Sequence, residues 1–569
     1  MEAGTLAIAR PVASKLHRYW RTFVFAALFI VLWFGFLEVR GLYFPDEGRY
    51  AEIPREMLAT GDWITPRVNE FPYFEKPPLQ YWMTAAMFAV AGEDEWTARF
   101  PAALAGLVGI LAVLATARRL YGRRAGWMAG AVLASFCGFF LGGQFLTLDM
   151  LLTTLLTCAL CAFVLAQDAR ATAKDRRQWM LVAWALCGLA FLTKGAIAVV
   201  LPGLALAVYV ALSRDLGLVR RLHLLPGLAV FAAITMPWFI AVELRNPGFN
   251  EFFFVHEHWQ RFTQPVHRRT GPLWYFIPIA IVFLLPWLPA IVAMLAKRPV
   301  VRARSAGFDA QRFAWCWAAT IFVFFSLSSS KLPAYIMPAL GAVALGAAPL
   351  LARRWKASLS ISGWTLIACG IFAAAATVAA PAWIKVPDVL ATFESNRGWL
   401  FAAAAALAGT GVAVLVSLRQ QRRVRALAGL VLGGMLACQV GVVLAHKIDT
   451  YFSAEHLIES LTGGESRGPF RPDVPFYSVD MFDHTVPFYL GRTVILVKEK
   501  GELAYGIAAA PANYIAEIET FAERWRDGGQ AFAIMRPETF ATLRDEGLPM
   551  HVVGRDGRRV VVSRQSPAR

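Results

Sequence analysis

Apolar runs of about 20 residues alternate along this chain with short clusters of basic residues, the spacing expected of helices that cross a bilayer. The first run is Phe23–Phe36, preceded by Arg10, Lys15, Arg18 and Arg21 and read as a retained span. Six basic clusters follow: Arg118–Arg124, Arg170–Arg177, Arg214–Arg221, Lys297–Arg304, Arg353–Lys356 and Arg419–Arg425. The positive-inside rule puts these clusters and the N-terminus on the cytoplasmic side. The chain goes out and back between each consecutive pair and ends on an outward run near Ala426–Leu444, which gives about 13 spans. The outer turns are then Tyr43–Lys76, Gln144–Asp149, Thr193–Lys194, Arg245–Thr270, Ser328–Lys331 and Lys385–Arg397. Leu79–Ala91 is apolar but too short to span, and is expected as an interfacial helix on the outer face.

The pattern changes after residue 445. Residues 446–569 hold no spanning run; strand-like stretches (Val474–Val479, Thr493–Val497, Val560–Ser563) alternate with a helical pattern around Asn513–Arg526. Two domains follow: a membrane domain over 1–445, and a small α/β domain over 446–569 that an odd number of spans places in the periplasm.

Composition agrees. Of the 569 residues 57% are hydrophobic and 17% charged, against about 45–50% and about 25% in ordinary globular chains. The net charge of +17 would invite a nucleic-acid partner in a soluble protein. Here it resolves into cytoplasmic turns that set orientation, so no nucleic acid is expected. All seven cysteines lie in apolar runs; the Cys158–Cys161 spacing reads as helix packing and not as a redox pair.

Candidate chemistry gathers in the outer turns. Asp46 follows the first span, flanked by Glu47 and followed by Arg49 and Tyr50, and the same loop continues to Glu75 and Lys76. Asp149 opens the run after the second outer turn, where a lone acid beside hydrocarbon favours a cationic partner or a substrate amine. Arg49, Lys76, Lys194, Arg261 and Lys331 all stand at outer ends, against the positive-inside bias, and point to a shared anion such as a phosphate. His256 and His258 could hold a divalent metal such as zinc with Glu75 as third ligand.

Asp46-Glu47, the Glu75-Lys76-Pro77-Pro78 segment, Asp149 and the Ser-Lys-Leu-Pro-x-Tyr segment Ser330–Tyr335 resemble the membrane-embedded GT-C glycosyltransferases. In particular they resemble the bacterial 4-amino-4-deoxy-L-arabinose (Ara4N) lipid A transferases, glycosyltransferase family 83. The resemblance implies a GT-C fold with about 13 transmembrane helices and a periplasmic C-terminal domain. It implies an inverting pentosyltransferase of the inner membrane, using an undecaprenyl phosphate sugar donor and a lipid A phosphate acceptor. The outcome would be modified lipopolysaccharide and resistance to cationic peptides such as polymyxin. Asp46 and Asp149 are the expected catalytic pair; Arg49, Lys76, Arg261 and Tyr335 would hold the donor phosphate; Glu47, Tyr50, Lys194 and Lys331 complete the substrate site. Membrane lipids are the other expected partners, and the chain is read as a monomer. The protein O-mannosyltransferases share the first-loop pattern and are the alternative reading. A lipid transporter is a weaker alternative, since no internal repeat is evident and the unusual charges sit at outer ends and not at the midplane.

Overall fold

The computed structural model describes residues 20, 22–260, 270–297, 307–385, 387–446, 449–463, 470 and 473–566. Among these, eight helices are long and apolar enough to cross a membrane, or nine if one bent pair is a single span. The chain is a multi-pass, largely helical membrane protein. Four further expected spans are shorter, broken or charged at one end: α1 (Thr22–Phe34), Arg123–Ser135 with Cys137–Gly142, Ala173–Lys194, and Ile197–Ser213.

The loop after α1 is not irregular. It begins with helix α2 (Asp46–Thr60), then a two-stranded hairpin, β1 (Arg67–Val68) and β2 (Phe71–Pro72). Helix α2 packs Tyr50, Ile53 and Met57 into an apolar core, and much of its charged surface is buried as well, which is possible because its charges pair: Arg55 donates twice to Glu52, at 2.6 Å each. Its first turn carries Asp46 and Glu47, where the helix dipole favours anions, and Gly61 closes it with a left-handed φ of 69°. Helix α3 spans Leu79–Ala91, the bounds expected from the sequence, and at about 20 Å is shorter than a hydrocarbon core. The acids after it have a local use: Asp94 and Thr97 form a capping box that starts α4 (Glu95–Tyr121).

Helices α5 (Arg123–Ser135) and α6 (Cys137–Gly142) are one path broken at Phe136, and Phe276–Phe283 and Leu288–Ala296 are a pair bent by 98°. The two breaks satisfy each other. Cys137 N donates to Leu285 O at 3.1 Å, and Trp287 Nε1 donates to Ser135 Oγ at 2.8 Å. Such pairing is required where water cannot replace a lost backbone bond.

At the centre lies α7 (Leu148–Ala166), 89% of whose apolar window is buried, packed against α4 and α8 (Ala173–Lys194). The late helices Trp355–Ala382 and Arg397–Arg419 are as apolar but only 17% buried, so their surplus apolar surface faces outward, as lipid contact demands.

The C-terminal segment forms a six-stranded sheet in the order β5-β4-β3-β6-β8-β7. Its strands are β3 (Phe476–Val479), β4 (Ile495–Val497), β5 (Tyr514–Ile515), β6 (Phe532–Met535), β7 (His551–Arg555) and β8 (Val560–Ser563). The first four strands run parallel, and β8 and β7 add antiparallel. The expected strands appear as β3 and β4, each two residues shorter, and as β8 with the expected bounds. The helical pattern around Asn513–Arg526 becomes strand β5 followed by the helix Ile518–Asp527.

This segment docks on the first outer loop. Asn69 Nδ2 donates to Val494 O, Val494 N donates back to Asn69 Oδ1 (2.7 Å each), and Thr493 Oγ1 bonds Glu70. Two glycines permit the close approach. A Cβ on Gly48 would lie 2.7 Å from His484 C, and one on Gly506 would lie 2.3 Å from Pro72 O.

Candidate active site

Helix α2 carries Asp46 and Arg49 three residues apart on one face, and they form an ion pair. Arg49 is buried, and its other partner is Glu502 from the C-terminal segment, also in ion-pair contact. His484 Nε2 approaches the second Glu502 oxygen at 2.5 Å. Burial would raise the Glu502 carboxyl, but Arg49 and His484 outweigh it and hold the group well below the usual carboxylate range. Burial likewise works against the Arg49 charge, and at neutral pH the Glu502 and Asp46 carboxylates oppose it. Burial also pushes the Tyr50 and Tyr73 hydroxyls up against the pull of Arg49, so both are neutral groups able to donate. Among the described residues, Arg49 Nε and the Tyr73 and Tyr81 hydroxyls are buried without a hydrogen-bond partner.

A second pair adjoins the first. Helices α7 and α8 run as an antiparallel hairpin, which sets Asp149 in the first turn of one beside Lys194 at the end of the other, with Nζ 2.5 Å from Oδ1. Each charge also matches the dipole of the helix end that bears it. Lys194 Nζ stands 5.1 Å from the Tyr335 ring centroid, and Asp46 lies within its electrostatic reach. Asp46, Arg49, Tyr50, Asp149, Lys194 and Tyr335, from four separated stretches of sequence, therefore share one polar centre.

Two expected site residues have their polar atoms taken up elsewhere. Glu47 is not an open substrate group: both its oxygens are taken by Arg40, Arg99 and backbone N–H donors in a buried cluster. Lys331 is also buried, its ammonium donating to the carbonyl oxygens of Phe325, Ser326 and Ser328 and so capping the end of the helix Ala310–Leu327. Asp149 faces a protein cation, Lys194, the first of the two partners its sequence context allowed.

Lys76 borders the centre from the next segment. Its Nζ donates to Glu75 O at 2.7 Å and lies 3.7 Å from Glu257 and 3.9 Å from the Glu75 carboxylate. His256 stacks on Phe252 with Nδ1 3.5 Å from Glu257. Arg261 lies outside the described residues, as does the side chain of His258. Among the described residues no three His, Cys, Asp or Glu side chains come together as a metal site.

Sequence reasoning missed Glu502, His484, Tyr73 and Tyr81. The two tyrosines flank the Glu-Lys-Pro-Pro segment, a usable signal; nothing local marks Glu502 or His484 among the ordinary charges of their segment.

Comparison with known proteins agrees with this geometry. The aminoarabinose transferase C-terminal domain family matches residues 466–564, and the dolichyl-phosphate-mannose-protein mannosyltransferase family matches residues 75–240. The undecaprenyl phosphate-alpha-4-amino-4-deoxy-L-arabinose arabinosyl transferase of Erwinia tasmaniensis is 30% identical over 551 residues, covering 94% of this chain and 96% of the relative. That of Pseudomonas aeruginosa (strain UCBPP-PA14) is 32% identical over 514 residues, covering 88% and 90%. The crystal structure of ArnT from Cupriavidus metallidurans bound to undecaprenyl phosphate superposes with a TM-score of 0.87 at 37% identity, over 96% of this chain and 98% of that one. With likeness that runs through both the membrane helices and the C-terminal sheet, the chain belongs to the undecaprenyl phosphate-alpha-4-amino-4-deoxy-L-arabinose arabinosyl transferase family and is a glycosyltransferase of the GT-C superfamily.

Proposed function

We propose that the chain moves 4-amino-4-deoxy-L-arabinose from undecaprenyl phosphate to a phosphate of lipid A on the periplasmic face of the inner membrane. The observation that carries this reading is the set of buried, unpartnered donors (Arg49 Nε and the Tyr73 and Tyr81 hydroxyls) beside the Asp46–Arg49 and Asp149–Lys194 pairs. Donors from separate elements that face these two ion pairs form a lining suited to a polar, anionic ligand.

The reaction is one in-line displacement. An acceptor phosphate oxygen forms its bond to the anomeric carbon as the bond from that carbon to the carrier phosphate breaks, and undecaprenyl phosphate leaves. Lys76, Arg49 and Arg261 neutralise the departing charge, with Tyr335 donating a hydrogen bond. The acceptor is already ionised, so Asp46 orients groups and stabilises positive charge at the anomeric centre instead of removing a proton. Asp149 holds Lys194, and together with Tyr50 they bound the sugar and acceptor side. A divalent ion at Glu75, His256 and His258 is a separate proposal for metal analysis of the purified protein; no step is routed through it.

The surroundings follow from the same reading. About 13 spans with a cytoplasmic N-terminus put residues 446–569 in the periplasm as a second domain after the membrane domain 1–445. The chain works as a monomer, and its product gives resistance to polymyxin-type cationic peptides. Mass spectrometry of lipid A from cells with and without the chain tests the reading. The expected result is an increment of one aminopentose that disappears in Asp46→Asn. A second reading, transfer of mannose to protein hydroxyls, is favoured by the match of residues 75–240 to the mannosyltransferase family. Unchanged lipid A with altered periplasmic glycoproteins would select it.

A further inference from the structure

One carboxylate outside the polar centre gathers an unusual number of donors. Glu47 Oε1 accepts from Arg40 Nη2 (3.0 Å), Arg99 Nε (2.9 Å) and Leu146 N (2.8 Å). Oε2 accepts from Arg40 Nη1 (2.5 Å), Arg99 Nη2 (3.1 Å) and Tyr43 N (3.0 Å). A carboxylate offers about four lone-pair sites, so this one is saturated. The remaining guanidinium bonds run to the backbone: Arg99 to Leu37 O, Arg40 O and Gly41 O, and Arg40 to Gly41 O and Gln144 O. Arg40 is also held between the rings of Tyr43 and Phe145, at 4.3 and 4.0 Å.

The cluster is sealed. Arg40, Glu47 and Arg99 are 1%, 2% and 0% exposed, which leaves no surface for a substrate. It is also placed to matter. Asp46 is the residue before Glu47, and Leu146 stands three residues before Asp149. The same carboxylate thus ties the start of α2, the second outer turn and the second turn of α4 to one point.

We propose that Glu47, with Arg40 and Arg99, is the positioning device of the site, fixing how far Asp46 stands from the Asp149–Lys194 pair. The proposal rests on the transferase reading above. Replacing a buried ionic cluster by apolar side chains is often neutral or stabilising, so stability alone does not call for two arginines around one glutamate. Geometry does. The paired forks of arginine on carboxylate fix direction as well as distance, and a displacement of about 1 Å at a reacting centre can cost about a hundredfold in rate.

The test uses the full chain, purified, with a synthetic undecaprenyl-phosphate aminopentose donor and lipid A. Arg99→Met keeps the Arg40–Glu47 pair. The expected result is a kcat per folded molecule about a hundredfold lower, with undecaprenyl phosphate binding within about twofold of wild type. Arg99→Lys should recover part of the loss, because lysine restores charge but not the fork. If Arg99→Met does not accumulate, Arg99→Lys carries the same comparison: lowered kcat with intact carrier binding supports the proposal. A kcat per folded molecule within about twofold of wild type, or a loss confined to carrier affinity, overturns it. Absence of transfer by the wild-type protein in this assay would instead refute the transferase reading, so the two failures are distinguishable.

Discussion

The Asp149 carboxylate and the Lys194 ammonium meet at 2.5 Å, each side chain mostly shielded from solvent. Breaking a buried ion pair from one side leaves a stranded charge, at a cost of about 3–5 kcal/mol when burial is complete and less here. Asp149→Asn or Lys194→Met alone should therefore lower thermal stability by the equivalent of about 1–3 kcal/mol. The double variant should recover most of that loss. Transfer activity should stay low in all three, since the double variant restores charge balance but not the groups facing Asp46 and Tyr335. Unfolding curves beside transfer rates check this; recovery of activity in the double variant would assign the pair a purely structural role.

Glu502 gives a pH dependence with a definite sign. Its carboxyl is held low in the folded protein by Arg49 and His484 against the effect of burial, while in the unfolded chain it titrates near the ordinary value of about 4.3. Its contribution to stability is then complete above about pH 4.3 and is lost as pH falls toward the depressed folded value. Wild-type protein should lose stability on acidification below that point more steeply than Glu502→Gln. Equal slopes would show that the Arg49–Glu502 contact does not contribute.

Asp46, Arg49, Asp149 and Lys194 were legible because hydrocarbon makes stray charges conspicuous at span ends; the roles of Tyr50 and Tyr335 came with the family resemblance. Their partners were less so. Helix α2 escaped notice because its apolar stripe of Tyr50, Ile53 and Met57 is thin among charges; pairs such as Arg55–Glu52, invisible to hydrophobic periodicity, help to sustain it. Glu47 and Lys331 have the right type and neighbourhood for a substrate site, and only three-dimensional contact shows them consumed by a cluster and a helix cap. In the sheet, β5, β6 and β7 were missed: β5 has two residues, β6 (Phe-Ala-Ile-Met) has a single β-branched residue, and β7 is mostly exposed.

The C-terminal segment completes the site by close backbone contact, and that contact is open to test. Gly48→Ala would place a methyl 2.7 Å from His484 C, and Gly506→Ala would place one 2.3 Å from Pro72 O. Neither neighbour is a flexible side-chain tip. Both variants should be destabilised by about 1–3 kcal/mol, with activity reduced and protease cleavage between the two parts increased. Gly429→Ala is the control, since nothing lies near its added methyl. Equal protease resistance in all three proteins would deny that docking depends on these glycines.

The topology makes a prediction independent of catalysis. About 13 spans and a cytoplasmic start would place the C-terminus outside. Alkaline phosphatase fused after Arg569 should be active, and a green fluorescent protein at the same place should be dark. A fluorescent, phosphatase-negative result would invert the assignment of every outer turn, and with it the side on which the sugar is transferred.

Lys76 stands between two acids, 3.7 Å from Glu257 and 3.9 Å from Glu75, and donates to the Glu75 backbone oxygen. An incoming phosphate can recruit the ammonium by a shift of its flexible stem. This arrangement predicts a role in carrier binding more than in the chemical step. Lys76→Ala should weaken undecaprenyl phosphate binding about tenfold or more, the scale of a lost charge-assisted hydrogen bond of about 1.5–3 kcal/mol. Lys76→Arg should retain part of the affinity, because the charge persists while the contact geometry changes. The Lys76→Ala loss should shrink as salt rises, but only modestly, since a mostly buried contact is screened less than an exposed one. Titration of the purified protein with undecaprenyl phosphate at two ionic strengths measures all three effects. If Lys76→Ala binds the carrier as wild type does and fails only in turnover, Lys76 belongs with Asp46 at the reacting centre and not with the phosphate clamp.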